Sequence, residues 1–190
     1  TPGTPTRLAL RTQPGGAAVG TLFGTQPVVE VRDAAGNVVT GSAAAVTVAI
    51  ASGGGTLAGT TTVNAAAGVA TFTNLFLTGT IGARTLSFTS TGLTSVNSGS
   101  FALAAGPPAQ LVITRQPVGG AVGAPLLTQP VVELRDVSNN LSTGSSAPVT
   151  AGLTAAATAR YQDRLGHKST IMIFLVFWVV ATVSMAASQH

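Results

Sequence analysis

In Val46-Thr47-Val48-Ala49-Ile50 the aliphatic side chains fall on one face, the period of two that a half-buried strand requires. In Thr85-Leu86-Ser87-Phe88-Thr89 the hydroxyl residues take the opposite face, and in Val29-Glu30-Val31-Arg32 the charges do. Strand signals recur at residues 8–11, 27–32, 46–50, 61–63, 69–72, 85–88 and 101–103, a spacing expected of antiparallel sandwich strands joined by short turns. No amphipathic helical pattern precedes residue 155. The pattern therefore predicts an all-β fold.

The pattern also repeats. A shift of 103 residues lays Gln26-Pro27-Val28-Val29-Glu30-Val31-Arg32-Asp33 on Gln129-Pro130-Val131-Val132-Glu133-Leu134-Arg135-Asp136. Between residues 8–50 and 111–153, 22 of 43 positions are identical without a gap, too many for chance. The lead-ins correspond as well, Gly3 and Pro5 falling on Gly106 and Pro108, so each copy begins after a Pro-containing, semi-rigid linker. A period near 100 is too long for a solenoid turn and suits a small β-sandwich. In the turn after the second strand signal, Gly36 is replaced by Asn139. These are the two residues that most readily accept positive φ, so the exchange preserves a backbone requirement.

The run from Pro27 to Val39, with Gly68-Val69-Ala70-Thr71-Phe72-Thr73-Asn74-Leu75 and Gly82-Ala83-Arg84-Thr85-Leu86-Ser87-Phe88, resembles bacterial immunoglobulin-like repeats of the invasin and intimin kind. The resemblance covers residues 4–106 and the first half of a second repeat. It implies an immunoglobulin-like antiparallel β-sandwich, used in tandem as a stalk or adhesive array on bacterial surface and secreted proteins. It implies no catalytic residues, since that family shares none.

The expected organisation is a complete domain at 1–106, a partial second repeat at 107–154 and a tail of unrelated composition at 155–190. Both histidines and the only Lys, Trp and Tyr lie in that tail. Its uncharged run at 169–187 is 19 residues long, ~28 Å as a helix against a hydrocarbon core of ~30 Å, which makes it a candidate transmembrane helix and membrane contact. Arg160, Arg164 and Lys168 precede it and no basic residue follows; the positive-inside rule then places the repeats in the cytoplasm, whereas the resemblance places them outside. A signal sequence has this order of basic, apolar and small residues but belongs at the other end of a chain. A third reading is a frameshifted or chimeric junction, which would explain both the abrupt end of the repeat and the missing Met at Thr1. The start at Thr1, without Met, reads as a processed protein or a fragment.

Composition narrows the chemistry. Only 14 of 190 residues are charged, nine basic and five acidic, and the basic ones form no stripe, so nucleic acid is not an expected partner. The absence of cysteine excludes disulfides, thiolate catalysis and Cys-ligated metals. Four of the five carboxylates, Glu30, Asp33, Glu133 and Asp136, are two positions seen twice, read as a solvated strand edge and an Asx-type turn in preference to a general acid and base. Asp33 with Asn37, and Asp136 with Asn140, offer one carboxylate per turn, poor ligation for Ca²⁺. The glycine runs at 15–20 and 52–56 lack the Lys and the following helix of a phosphate loop, and residues 1–166 hold no histidine to activate a serine. No catalytic, cofactor-binding or metal residue is assigned, no cofactor is expected, and the chain is not read as an enzyme. The expected function is a non-catalytic stalk or spacer. Its expected partners are neighbouring repeats of the same chain and a ligand on a host or neighbouring cell, at a bacterial surface, secreted or membrane-anchored. The alternative is a module that binds carbohydrate or protein through its loops.

Overall fold

The computed structural model describes residues 1–151, and among them there is no helix. Thirteen strands form: β1 (Pro5–Thr12), β2 (Ala17–Ala18), β3 (Val28–Asp33), β4 (Ala45–Ser52), β5 (Thr56–Ala58), β6 (Thr62–Asn64), β7 (Val69–Thr71), β8 (Phe76–Thr78), β9 (Gly82–Thr89), β10 (Val96–Asn97), β11 (Phe101–Ala104), β12 (Gln110–Arg115) and β13 (Val131–Arg135). Each of the seven strand signals in the first copy overlaps a strand, with Pro27, Thr61 and Phe72 falling one residue outside. The elements that alternation missed, β2, β5, β8 and β10, are two or three residues long, where a period of two gives little or no signal.

The first copy is β-sandwich-like. One main sheet has the order β1-β3-β7 and the other β2-β11-β9-β4-β6, with β10 also paired to β9, and β5 and β8 form a separate antiparallel pair. Leu8, Val29, Val31 and Ala70 from the first sheet and Val46, Val48, Leu86, Phe88 and Leu103 from the second join one buried cluster. Within it the rings of Phe72 and Phe88 lie 5.7 Å apart, and half-buried Phe101, packed against the cluster, sits at the same distance from Phe23. A fully buried Val, Leu or Phe contributes roughly 1.5–3 kcal/mol relative to its exposed state, so this shared interior is the main stabilising element. The alternation holds in detail, since Val46 and Val48 are buried and Thr47 and Ala49 exposed.

The second copy reproduces the first strand pair and one of its two irregularities. β12 pairs with β13 antiparallel, with Leu111 opposite Leu134 and Ile113 opposite Val132, and with a register shift between Ile113 and Arg115. These are the partners of β1 and β3, Leu8 with Val31 and Leu10 with Val29, shifted between Leu10 and Thr12. Residues Thr1–Ser145 make one compact unit, and a second begins at Ser146. Of that second unit, residues 146–151 are described, without regular structure. Among the described residues no helix is long and apolar enough to cross a membrane; the candidate helix at 169–187 and the tail at 155–190 lie outside them.

Candidate inter-repeat junction

The four repeated carboxylates fall into two kinds of site. Glu30 sits on the outward face of β3, but β3 is flanked by β1 and β7, with Ala9 and Val69 directly opposite. Arg32 donates to its Oε2 at 2.6 Å, and Arg11 approaches Oε1 at 3.9 Å. The solvated-edge reading is thus corrected: Glu30 is buried, because a central strand has neighbours on both sides. Glu133 keeps the same Arg partner, Arg135 at 2.7 Å, and is half-buried because no third strand flanks β13 among the described residues.

The Asx-turn reading of Asp33 and Asp136 agrees with the hydrogen bonds, although both side chains are buried. Asp33 Oδ1 accepts from the Asn37 amide at 2.8 Å, and Asp136 Oδ1 from the amides of Ser138 and Asn140 at 2.9 and 3.0 Å. The other oxygen reaches back thirty residues. Asp33 Oδ2 accepts from the Gly3 amide at 2.8 Å, and Asp136 Oδ2 from the Gly106 amide at 3.0 Å. Each Asp therefore fastens the linker that leads into its own repeat to the turn that follows the second strand of its first pair. Gly36 and Asn139 hold φ of 91° and 67° in these turns, the positive values that the exchange of Gly for Asn implied.

These contacts set the ionisation of both groups. Hydrogen bonds from the Gly3 amide and the Asn37 side chain hold the Asp33 carboxyl at about 2, below its ordinary 3.8. For Asp136 burial pushes upward, but the Asn140 side chain and the amides of Gly106, Asn140 and Ser138 outweigh it, and the net shift is downward. Both carboxylates are thus engaged by the protein's own N–H groups.

In the second copy the same turn also touches the first. Gly79 donates its amide to Ser138 Oγ at 2.9 Å, Ile81 donates to Asn140 Oδ1 at 3.2 Å, and Asn140 Nδ2 donates to the Gly79 carbonyl at 2.9 Å. Ser142 Oγ donates to the Gly106 carbonyl at 2.9 Å. Gly106 itself lies against the first copy, where an added Cβ would stand 2.0 Å from the Val19 carbonyl oxygen, so only glycine lets the linker pass. The linker, the turn at 136–140 and the loop at 79–81 form one hydrogen-bonded joint between the copies.

Arg84 supports the joint from behind, at a position that no site motif marks in the sequence. It is buried in phase with Leu86 and Phe88 on β9, so the period of two carried a signal: a charge on an inward position. Its guanidinium donates to the carbonyls of Ala83 and Thr80, while its Nε has no partner. The bond to Thr80 fixes the centre of the loop whose two neighbouring amides, Gly79 and Ile81, face the second copy. Among the described residues no group of three or more Asp, Glu or His side chains is placed to hold a metal ion.

No protein-family model matches the chain. No curated protein matches it either.

Proposed function

We propose that the chain is a non-catalytic stalk or spacer built from tandem immunoglobulin-like repeats, belonging to a bacterial cell-surface or secreted protein and serving adhesion by holding a binding region away from the cell. The observation that carries this reading is the joint. An array works as a spacer only if successive repeats keep a fixed relative direction, and here a linker glycine, a buried Asp and a bridging Asn tie one copy to the next through hydrogen bonds that need no ligand. Each repeat position of the turn directs its carboxylate at the linker, a use that leaves no paired acid and base for chemistry. The neighbouring repeat is therefore the first partner of each unit.

The test is NMR relaxation on residues 1–145. A stalk requires the first copy and β12 with β13 to share one rotational correlation time. Independent tumbling of the two parts would overturn the reading.

A further inference from the structure

The joint has two halves, one on each side of a repeat, and the first copy carries both. Its rear half, Val19, Gly20 and the loop at 79–81, is occupied by the second copy. Its front half consists of Gly3 and the turn at 33–37. These are the counterparts, 103 residues earlier, of Gly106 and 136–140. The hydrogen bonds that shape that front half are already in place, from the Gly3 amide to Asp33 Oδ2 and from the Asn37 amide to Oδ1, and the outer turn residues Ala34, Ala35 and Asn37 are exposed.

Gly3 adds an independent argument. Gly106 is glycine because the Val19 carbonyl comes within 2.0 Å of the place a Cβ would take. Gly3 meets no such obstacle, its nearest neighbour being Asp33 Oδ2 at 3.5 Å from an ideal Cβ, and it has no positive φ. Nothing in the described structure demands glycine at position 3. A Val19 carbonyl approaching from another copy of the repeat would demand it.

We propose that Gly3 and the turn at 33–37 are a seat for a covalently linked preceding copy of this same repeat, which would present its Val19 carbonyl to Gly3 and its Ile81 amide to Asn37. The inference rests on the stalk reading and names the surface through which that array extends. Covalent linkage is part of it, because a contact of a few hydrogen bonds needs the high effective concentration that a short linker supplies. Two differences set the strength: Ala35 stands where Ser138 accepts from Gly79, and Val39 where Ser142 donates to the linker carbonyl of Gly106, so this seat offers two hydrogen bonds fewer.

The experiment uses the full chain in mild detergent, extended by a copy of residues 1–103 placed directly before Thr1. Thr1-Pro2-Gly3 then falls where Ala104-Ala105-Gly106 stands and the period is kept. Ile81→Val in the added copy marks its peptide by mass for hydrogen exchange. Its residue-81 amide is expected to exchange roughly five-fold slower than in the Gly3→Val version of the extended chain, the factor that one net hydrogen bond of ~1 kcal/mol gives. Ala35→Ser should slow it further. Gly3→Val in the unextended chain should leave melting unchanged, which separates lost docking from lost folding. Equal exchange with and without Gly3→Val, while Gly106→Val speeds exchange of the original Ile81 amide, would overturn the inference and leave the stalk reading standing. If the original Ile81 amide is also insensitive to Gly106→Val, both fall.

Discussion

Val19 and Val122 hold the same place in the 103-residue period, in the shared run Ala-Val-Gly, yet Val19 is fully buried and Val122 fully exposed. The contrast runs through both copies. Leu8, Val29 and Val31 are buried, whereas their counterparts Leu111, Val132 and Leu134 are only half-covered, although β12 and β13 repeat the register of β1 and β3 down to the bulge. Local sequence is therefore enough to set strand pairing and turn geometry but not to make an interior. The interior comes from the opposing sheet, and no β4, β9 or β11 equivalent faces β12 and β13 among the described residues. Two polar side chains escape the rule: Ser142 is buried against the linker, and Asp136 is as buried as Asp33, because what covers it is its own linker, turn and Asn140.

The largest effect should come from separating the copies. Residues 1–106 are expected to melt cooperatively as a β-rich monomer, and 107–154 alone to show no cooperative transition by circular dichroism, since their apolar faces and open edges have nothing to cover them. A cooperative melt of 107–154 would mean that a single strand pair suffices and would erase the distinction.

The next test puts one change at equivalent sites. Val19→Asp should cost about 4 kcal/mol or more and unfold the first copy, because it leaves an unpaired charge in the core. Val122→Asp should change stability by less than ~0.5 kcal/mol, as exposed substitutions do. Within one strand, Val48→Asp and Thr47→Asp should divide in the same way, the first unfolding the domain and the second tolerated. Equal losses at 47 and 48 in chemical denaturation would mean that the register of β4 is misassigned.

The sequence made the sandwich-like layout legible wherever a strand was long enough to alternate, and the repeat exposed the Asp turns and the linker glycines as fixed pairs. Three features were harder to read, each for a physical reason. Glu30 looked solvated because alternation reports which face a residue takes and not whether its strand is central. Arg84 was in phase with Leu86 and Phe88, but a charge inside a core runs against composition-based expectation, and its carbonyl partners are backbone groups that no sequence pattern displays. The bridge from Asn140 to Gly79 and Ile81 joins residues about sixty positions apart, and Asn37 has the same identity without that bridge.

That last pair gives a smaller, sharper comparison. Besides its bonds to Asp136 within the turn, Asn140→Ala removes the acceptor for Ile81 and the donor to Gly79, and should loosen the joint by about 1–3 kcal/mol, read as faster amide exchange along β12 and β13. The melting of the first copy should not move. Asn37→Ala removes a side-chain bond to Asp33 only and should leave exchange in the second copy unchanged. Similar effects at both sites would show that the asparagine serves the turn and not the joint.

The smallest expected effect is electrostatic and follows from the two carboxylates. Asp33 titrates at about 2 in the folded chain against 3.8 ordinarily. A folded-state pKa below the unfolded one means that the native state binds its proton less readily, so ionised Asp33 stabilises the fold above about pH 4 and that stabilisation disappears as pH falls towards 2. Residues 1–106 contain only one other side-chain carboxylate, Glu30, so the acid limb of a stability profile for this fragment should flatten visibly in Asp33→Asn. Asp136 shifts in the same direction, but its hydrogen bonds hold the linker between copies. In the longer chain Asp136→Asn should therefore flatten the acid response of amide exchange at Gly106 while leaving the melt of the first copy as it was. An acid profile of residues 1–106 unchanged by Asp33→Asn would show that the Gly3 amide does not hold that carboxylate in solution, and the equivalence of the two linkers would be lost.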